Sequence, residues 1–328
     1  MSKFSTPYAR DLVKQVAFKY LEMPVKYVIS FVAFCLCTSL ALNSFADECP
    51  SNWKTLHPEW IWCDDFETDK TTSYFEKTGP FNRTTGVGFN GSFGMQSTWT
   101  SGLADGGSLK LAFGLTPSGS GFTPPAGVDT TSKFREIYYR VYLKTQAGWV
   151  NPGASSNSKL VRAMVTSASD WSQAMIAHVW SDETNNSFLM SDPVSCVSGS
   201  AVQCVGYNDF AHFTWLGGTR GTTAIFVSPN LGAWKCIEHH VTLNDAAQSN
   251  GVSEFWIDGH LEASRTNLNF VGSYSAFGIN AVFFENYINN GSPQAQSRYW
   301  DNIVVSTQRV GCNPVATALS PPTNLRVQ

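Results

Sequence analysis

Apolar and polar residues alternate along most of this chain. The period is two, which is that of a β-strand, because successive side chains leave a strand on opposite faces. The alternation, or a run of β-branched and aromatic residues, predicts strands over 60–66, 107–113, 135–144, 159–165, 174–180, 224–227, 236–243, 254–257, 277–286 and 299–306. Turn formers separate them, as in Thr116-Pro117-Ser118-Gly119-Ser120-Gly121. No long amphipathic helix and no fixed-period repeat appears. The pattern is all-β, and its most economical form is a two-sheet antiparallel β-sandwich.

Several strands carry chemistry on the face opposite their apolar one. Residues 236–243 place Cys236, Glu238, His240 and Thr242 on one side, with Ile237, His239, Val241 and Leu243 on the other. Residues 135–144 place Glu136, Tyr138, Arg140 and Tyr142 together. The same parity groups Ala174, Ile176, His178 and Trp180, and also Phe283, Glu285, Tyr287 and Asn289. Combined, these faces predict the floor of one groove, with aromatics to stack on rings and Arg or His to reach hydroxyls and carboxylates. The competing reading is a hydrated outer face with scattered charges. His239 lies on the apolar side and reads as structural, and His178 reads equally well as a satisfied, half-buried histidine.

Composition narrows the setting. Of 328 residues 13% are aromatic and only 14% charged, with 26 glycines, which suits a turn-rich extracellular β-protein. Lys14, Lys19 and Lys26 precede an apolar run over 27–42, and Ser44-Phe45-Ala46 follows. This is the layout of a secretory signal, with cleavage expected after Ala46. The run is shorter than the roughly 20 residues of a membrane span. Met23 is an alternative start, and a retained anchor the competing reading. Removal of 1–46 takes five basic and two acidic residues and leaves a net charge of −6. Such a chain has no concentrated positive charge for nucleic acid. No internal linker divides 47–312, which reads as one domain, and 313–328 reads as a linker or tail. Cys49, Cys63, Cys196, Cys204, Cys236 and Cys312 remain, an even count that predicts disulfides. Six cysteines allow fifteen pairings. Local spacing favours Cys49–Cys63 and Cys196–Cys204, leaving Cys236–Cys312. No Cys-x-x-Cys pair supports zinc.

Two distant segments resemble the ends of a known architecture: Cys63-Asp64-Asp65-Phe66-Glu67, and Tyr299-Trp300-Asp301-Asn302 running on to Ser306. With EIYYRVYLK, SKLVRAM, AMIAHVW, EFWIDG and VFFENYINNGSPQAQSRYWDN between them, the chain resembles the concanavalin A-like jelly rolls. Within these it resembles the jelly-roll polysaccharide lyases and LamG-like domains, over most of 60–312. The resemblance implies a jelly roll whose first and last strands are neighbours. It also implies a structural Ca²⁺ at Asp65, Glu67 and Asp301, since calcium prefers several hard oxygens. The competing reading makes these acids ordinary turn and edge residues. No organic cofactor is implied.

A lyase of this kind cleaves an acidic polysaccharide by β-elimination. Positive charge neutralises the uronate carboxylate, so that the carbon beside it can lose a proton. A base and an acid complete the step. Arg140 or Lys159 is the expected neutraliser, His178 or His240 the base, and Tyr287 the acid. Tyr138, Tyr142, Arg162, Trp180, Glu238, Glu285 and Asn289 are the expected substrate contacts. A non-catalytic carbohydrate-binding or adhesion module is the alternative. A glycosidase comes third. It needs two carboxyls facing one bond, here Glu238 and Glu285 on neighbouring strands. Asp258-Gly259 reads as a hairpin turn. The catalytic set requires Arg140, His178, Glu238, His240 and Tyr287 to meet in one groove.

Overall fold

The computed structural model describes residues 48–89, 92–119 and 121–312. The expected signal segment 1–46, its expected cleavage site and the tail 313–328 lie outside them. All described residues belong to one compact unit, whose strands fall into two large antiparallel sheets.

Sheet I has the order β16 (His260–Leu268), β15 (Gly251–Ile257), β14 (Lys235–Thr242), β6 (Glu136–Thr145), β18 (Gln296–Ser306), β4 (Phe93–Trp99) and β3 (Phe81–Thr85), with β1 (Trp60–Asp64) also paired to β18. Sheet II has the order β12 (Thr214–Trp215), β9 (Leu189–Ser195), β8 (Gln173–Ser181), β7 (Ser158–Thr166), β17 (Ala281–Ile288), β5 (Asp105–Ala112) and β2 (Glu76–Thr78), with β13 (Thr219–Arg220) also on β9. A small hairpin, β10 (Val197–Ser198) and β11 (Ala201–Val202), stands apart. The first and last strands pair through Asp64↔Ile303 and Cys63↔Val304, as the resemblance implies.

Alternation explains the layers. Ile137, Val141 and Leu143 of β6 and Ile237 and Val241 of β14 point inward, toward Val161, Ala163 and Val165 of β7 and Val282 and Phe284 of β17. Together they form the main core. Polar groups inside it are paired. His239 joins Tyr139 Oη (2.6 Å) and Ser253 Oγ (2.9 Å), and Ser253 reaches Ser191 of the facing sheet (2.9 Å). Burial depresses the His239 pKa to about 3, so the ring is neutral and structural. Arg298, fully buried, crosses to sheet II, donating to the Lys159 carbonyl (3.2 Å) and to Ser158.

Nine of the ten expected strands are present, with shifted ends. The exception is 224–227, which forms a turn. Ile225 and Phe226 are apolar because that loop plugs the core. β9 was missed because Pro193 interrupts its pattern; a proline lacks the N–H of a ladder partner. β16 was missed because it is a polar edge strand.

All three disulfides form in the pairing that local spacing favoured, Cys49–Cys63, Cys196–Cys204 and Cys236–Cys312. Two of them fasten the first and last described segments, at Cys49 and Cys312, onto sheet I. There Arg140 pairs with Glu48 (2.6 Å) and donates to the carbonyls of Gly311 (3.3 Å) and Asn302 (3.2 Å). Glu238 accepts the backbone N–H groups of Val310 (2.6 Å) and Gly311 (3.1 Å) and pairs with Arg309 (3.3 Å). Asp258 and Gly259 both have positive φ (52° and 83°) and make the tight β15–β16 turn, as expected.

Candidate functional site

The five residues of the expected catalytic set do not share a groove. Arg140, Glu238 and His240 project from sheet I, whereas His178 and Tyr287 belong to sheet II. Strand parity had assigned each side chain to its face correctly, but parity carries no information about which sheet a strand joins. Arg140 and Glu238 are buried and hold the first and last described segments, at Glu48 and at Val310–Gly311. His240 stacks on Tyr138 (4.1 Å) between Glu136 (2.7 Å) and Glu254 (3.2 Å). Tyr142 is covered by Phe89 (4.3 Å) and Arg140. Glu238 and Glu285 sit on different sheets, which removes the pair a glycosidase would need.

Sheet II brings the remaining candidates together on its open face. Cross-strand pairing aligns Asp192, His178, Arg162, Phe283, Lys110 and Glu76 in one row. A second row runs Met190, Trp180, Lys159, Tyr287 and Asp105. Between the strands and the loop carrying Tyr207, Asn208 and Phe210 lies a pocket of about 470 Å³. Lys110, Lys159, Glu285, Tyr287 and Asn289 line it.

The cations of this face differ in state. Arg162 is fully buried and bonded to Glu285, to the Tyr207 hydroxyl and to Asn208 Oδ1 (2.9 Å). Burial resists ionisation of Glu285, but the Arg162 guanidinium beside it holds the carboxyl below its ordinary value. Lys110 pairs with Glu76 and lies over Trp171 (4.8 Å) and Tyr207 (5.6 Å). Lys159 makes no ion pair within 4 Å among the described residues and rests over the Tyr287 ring (4.8 Å). Burial, with Arg162 nearby, draws its pKa down.

His178 is 4% exposed. Its Nδ1 lies 3.0 Å from the Asp192 carbonyl, which only accepts, so Nδ1 donates and the neutral ring carries its lone pair on Nε2. Burial and the Arg162 charge hold its pKa well below the ordinary value. The ring stacks on Trp180 (4.4 Å) and lies 6.1 Å from Trp215, which is 44% exposed. An aromatic platform therefore adjoins the polar pocket.

Sequence reasoning missed Lys110, Asp192, Tyr207, Asn208 and Trp215. Lys110 shares its strand face with Ser108 and was readable from alternation. Asp192 was hidden in the proline-interrupted strand, and loop residues have no period to betray them.

Asp65, Glu67 and Asp301 lie near the β1–β18 seam. Asp65 accepts the Cys49 N–H (3.0 Å), Glu67 the Phe93 N–H (3.1 Å), and Asp301 the N–H groups of Phe89 (2.5 Å) and Asn302 (2.7 Å). Among the described residues no group of three or more His, Cys, Asp or Glu is placed to hold a metal ion.

No protein-family model matches the chain, and no curated protein matches it. Solved structures do. An alginate lyase from Chlorella virus superposes with a TM-score of 0.51 at 13% identity, over 76% of this chain and 100% of that one. A marine alginate lyase from Aplysia kurodai gives 0.51 at 10% identity, over 76% and 99%. The fold is the jelly-roll sandwich of these lyases. At such identities the likeness concerns the fold, and function rests on the site.

Proposed function

We propose that the protein is a secreted carbohydrate-active protein that seats a uronate-containing polysaccharide on the open face of sheet II and cleaves it by β-elimination. The observation that carries this reading is Lys159: a cation without an ion pair among the described residues, set in a polar pocket between Tyr287 and Trp180. The activity of the two lyases that share the fold agrees with it. Three disulfides fit an oxidising compartment. Among the described residues no helix is long and apolar enough to cross a membrane.

In this reading Lys159 neutralises the uronate carboxylate and thereby acidifies the neighbouring C–H. His178 Nε2 takes that proton. The C–H electron pair becomes the new double bond, the glycosidic C–O bond breaks, and the Tyr287 hydroxyl protonates the departing oxygen. The incoming carboxylate also raises the basicity of His178, which burial suppresses in the free protein. Arg162, held by Glu285, Tyr207 and Asn208, stiffens the floor, while Trp180 and Asn289 contact substrate.

The test is incubation with alginate, glucuronan and glycosaminoglycans while ultraviolet absorbance is followed. An unsaturated product is expected from at least one, and none across the panel overturns the reading. The aromatic platform of Trp180 and Trp215 favours a second reading, carbohydrate binding without chemistry. Glycan retention on affinity gels with no product would establish that one instead.

We also propose a structural Ca²⁺ at Asp65, Glu67 and Asp301, which lie near one another at the β1–β18 seam. Burial, with smaller contributions from Asp65 and Glu67, lifts the Asp301 carboxyl to about 8, and a divalent cation would favour its ionised form. A higher Tm in calcium than in EDTA is the expected result, and equal values remove the proposal.

A further inference from the structure

The open face of sheet II is electrically lopsided. On β7 the cation left without an ion pair is Lys159. Two strands away the unpaired charge is negative. Asp192 faces His178 across β8 and β9, is 8% exposed, and makes no ion pair within 4 Å among the described residues. Burial and the nearby Glu183 lift its carboxyl to about 6, which leaves it largely ionised at neutral pH.

Beside Asp192 lies the platform. Trp215 is exposed, with its ring 6.0 Å from Trp180 and 6.1 Å from His178. Gly218 adjoins the acid; a Cβ there would come within 3.1 Å of Met190 Sδ and 3.4 Å of Asp192 Oδ1. Glycine keeps that edge of the carboxylate clear. An exposed indole beside a carboxylate has the chemistry to take a pyranose: its apolar face lies on the ring, and its hydroxyl or N–H groups donate to the acid. A uronate in the same place would set its carboxylate against Asp192 and Glu183, and like charges at close range select against such a ligand.

We infer that the groove reads a mixed polymer, in which a uronate at Lys159 is flanked by a neutral or amino sugar seated on Trp215 and Asp192, rather than an unbroken run of uronates. This rests on the reading above, which puts the uronate at Lys159.

The experiment is affinity electrophoresis of the full chain at fixed ionic strength, with polymers of matched length. The mixed probe is hyaluronan, which alternates glucuronate with N-acetylglucosamine, and the uniform probes are glucuronan and alginate. Hyaluronan is expected to bind at least about tenfold more tightly than either. Asp192→Asn, nearly isosteric, is expected to tighten the uniform polymers and narrow that ratio. Trp215→Ala is expected to weaken hyaluronan about tenfold or more, with Tm unchanged. Uniform polymers that bind as well as hyaluronan, with a ratio indifferent to Asp192→Asn, overturn the inference. Lys159→Met separates the two claims: if it weakens no polymer, the placement of the uronate fails, whereas the Trp215 and Asp192 variants report on the platform alone.

Discussion

Lys159 and Arg162 sit three positions apart on one strand and have opposite fates. Arg162 is locked to Glu285, Tyr207 and Asn208, so it holds the groove together. Arg162→Met strands a buried carboxylate and is expected to cost about 3–5 kcal/mol of stability, read from denaturant unfolding. Lys159 has no such partner, so Lys159→Met is expected to leave Tm nearly unchanged and reduce product formation at least about 100-fold, the scale of losing one preorganised charge contact. His239 allows a pH test with a definite sign. Its folded pKa, about 3, lies below the unfolded value, so the unfolded chain binds more protons between about 3 and 6.5. The stability this ring supplies is complete above that window and is lost as pH falls through it, by at most about 1.4 kcal/mol per pH unit. Buried Asp192 works in the opposite direction, so the difference between variants is the clean measurement. The Tm gap between wild type and His239→Gln is expected to shrink from pH 7 to pH 4. A constant gap would mean that the ring binds protons equally well in the folded and unfolded chain, which contradicts its burial as a neutral group.

At the scale of elements, the outer face of sheet I looked functional in the sequence because its polar residues are numerous and unlike those of a wet surface. They are unusual because they fasten the first and last described segments. Arg140 and Glu238 bind the segments around Glu48 and Val310–Gly311, next to the Cys236–Cys312 bridge. Arg140→Met is expected to lower Tm clearly, since it removes the ion pair to Glu48 and the bonds to the Gly311 and Asn302 carbonyls, while binding on sheet II is expected to persist. Loss of glycan binding with normal Tm would return Arg140 to the site. Strand faces were legible from alternation because one side of each strand meets the core. Among the strands that escaped, this rule weakens in β9 with Pro193, in the polar edge β16 and in the short β2 and β3; β4, with Gly94, Gln96 and Ser97 among its apolar residues, escaped as well.

At the scale of the molecule, the sequence carried the sandwich, the three disulfide pairings and, through its resemblance to the jelly rolls, the pairing of the first and last strands. It did not carry the assignment of strands to sheets. That assignment depends on long-range pairing, and a period of two repeats identically in both layers. The expected groove therefore resolved into two faces, one structural and one open. His178, Tyr287, Lys159, Arg162, Trp180, Glu285 and Asn289 share the open one, joined there by the loop of Tyr207 and the platform of Trp215. The most direct test is the initial rate of unsaturated product formation, on whichever polymer the wild type cleaves, for Tyr287→Phe and His240→Ala side by side. The structure predicts a loss of at least about 100-fold for Tyr287→Phe, the scale of removing a general acid, and little change for His240→Ala. The reverse order would place the chemistry on sheet I and contradict the account.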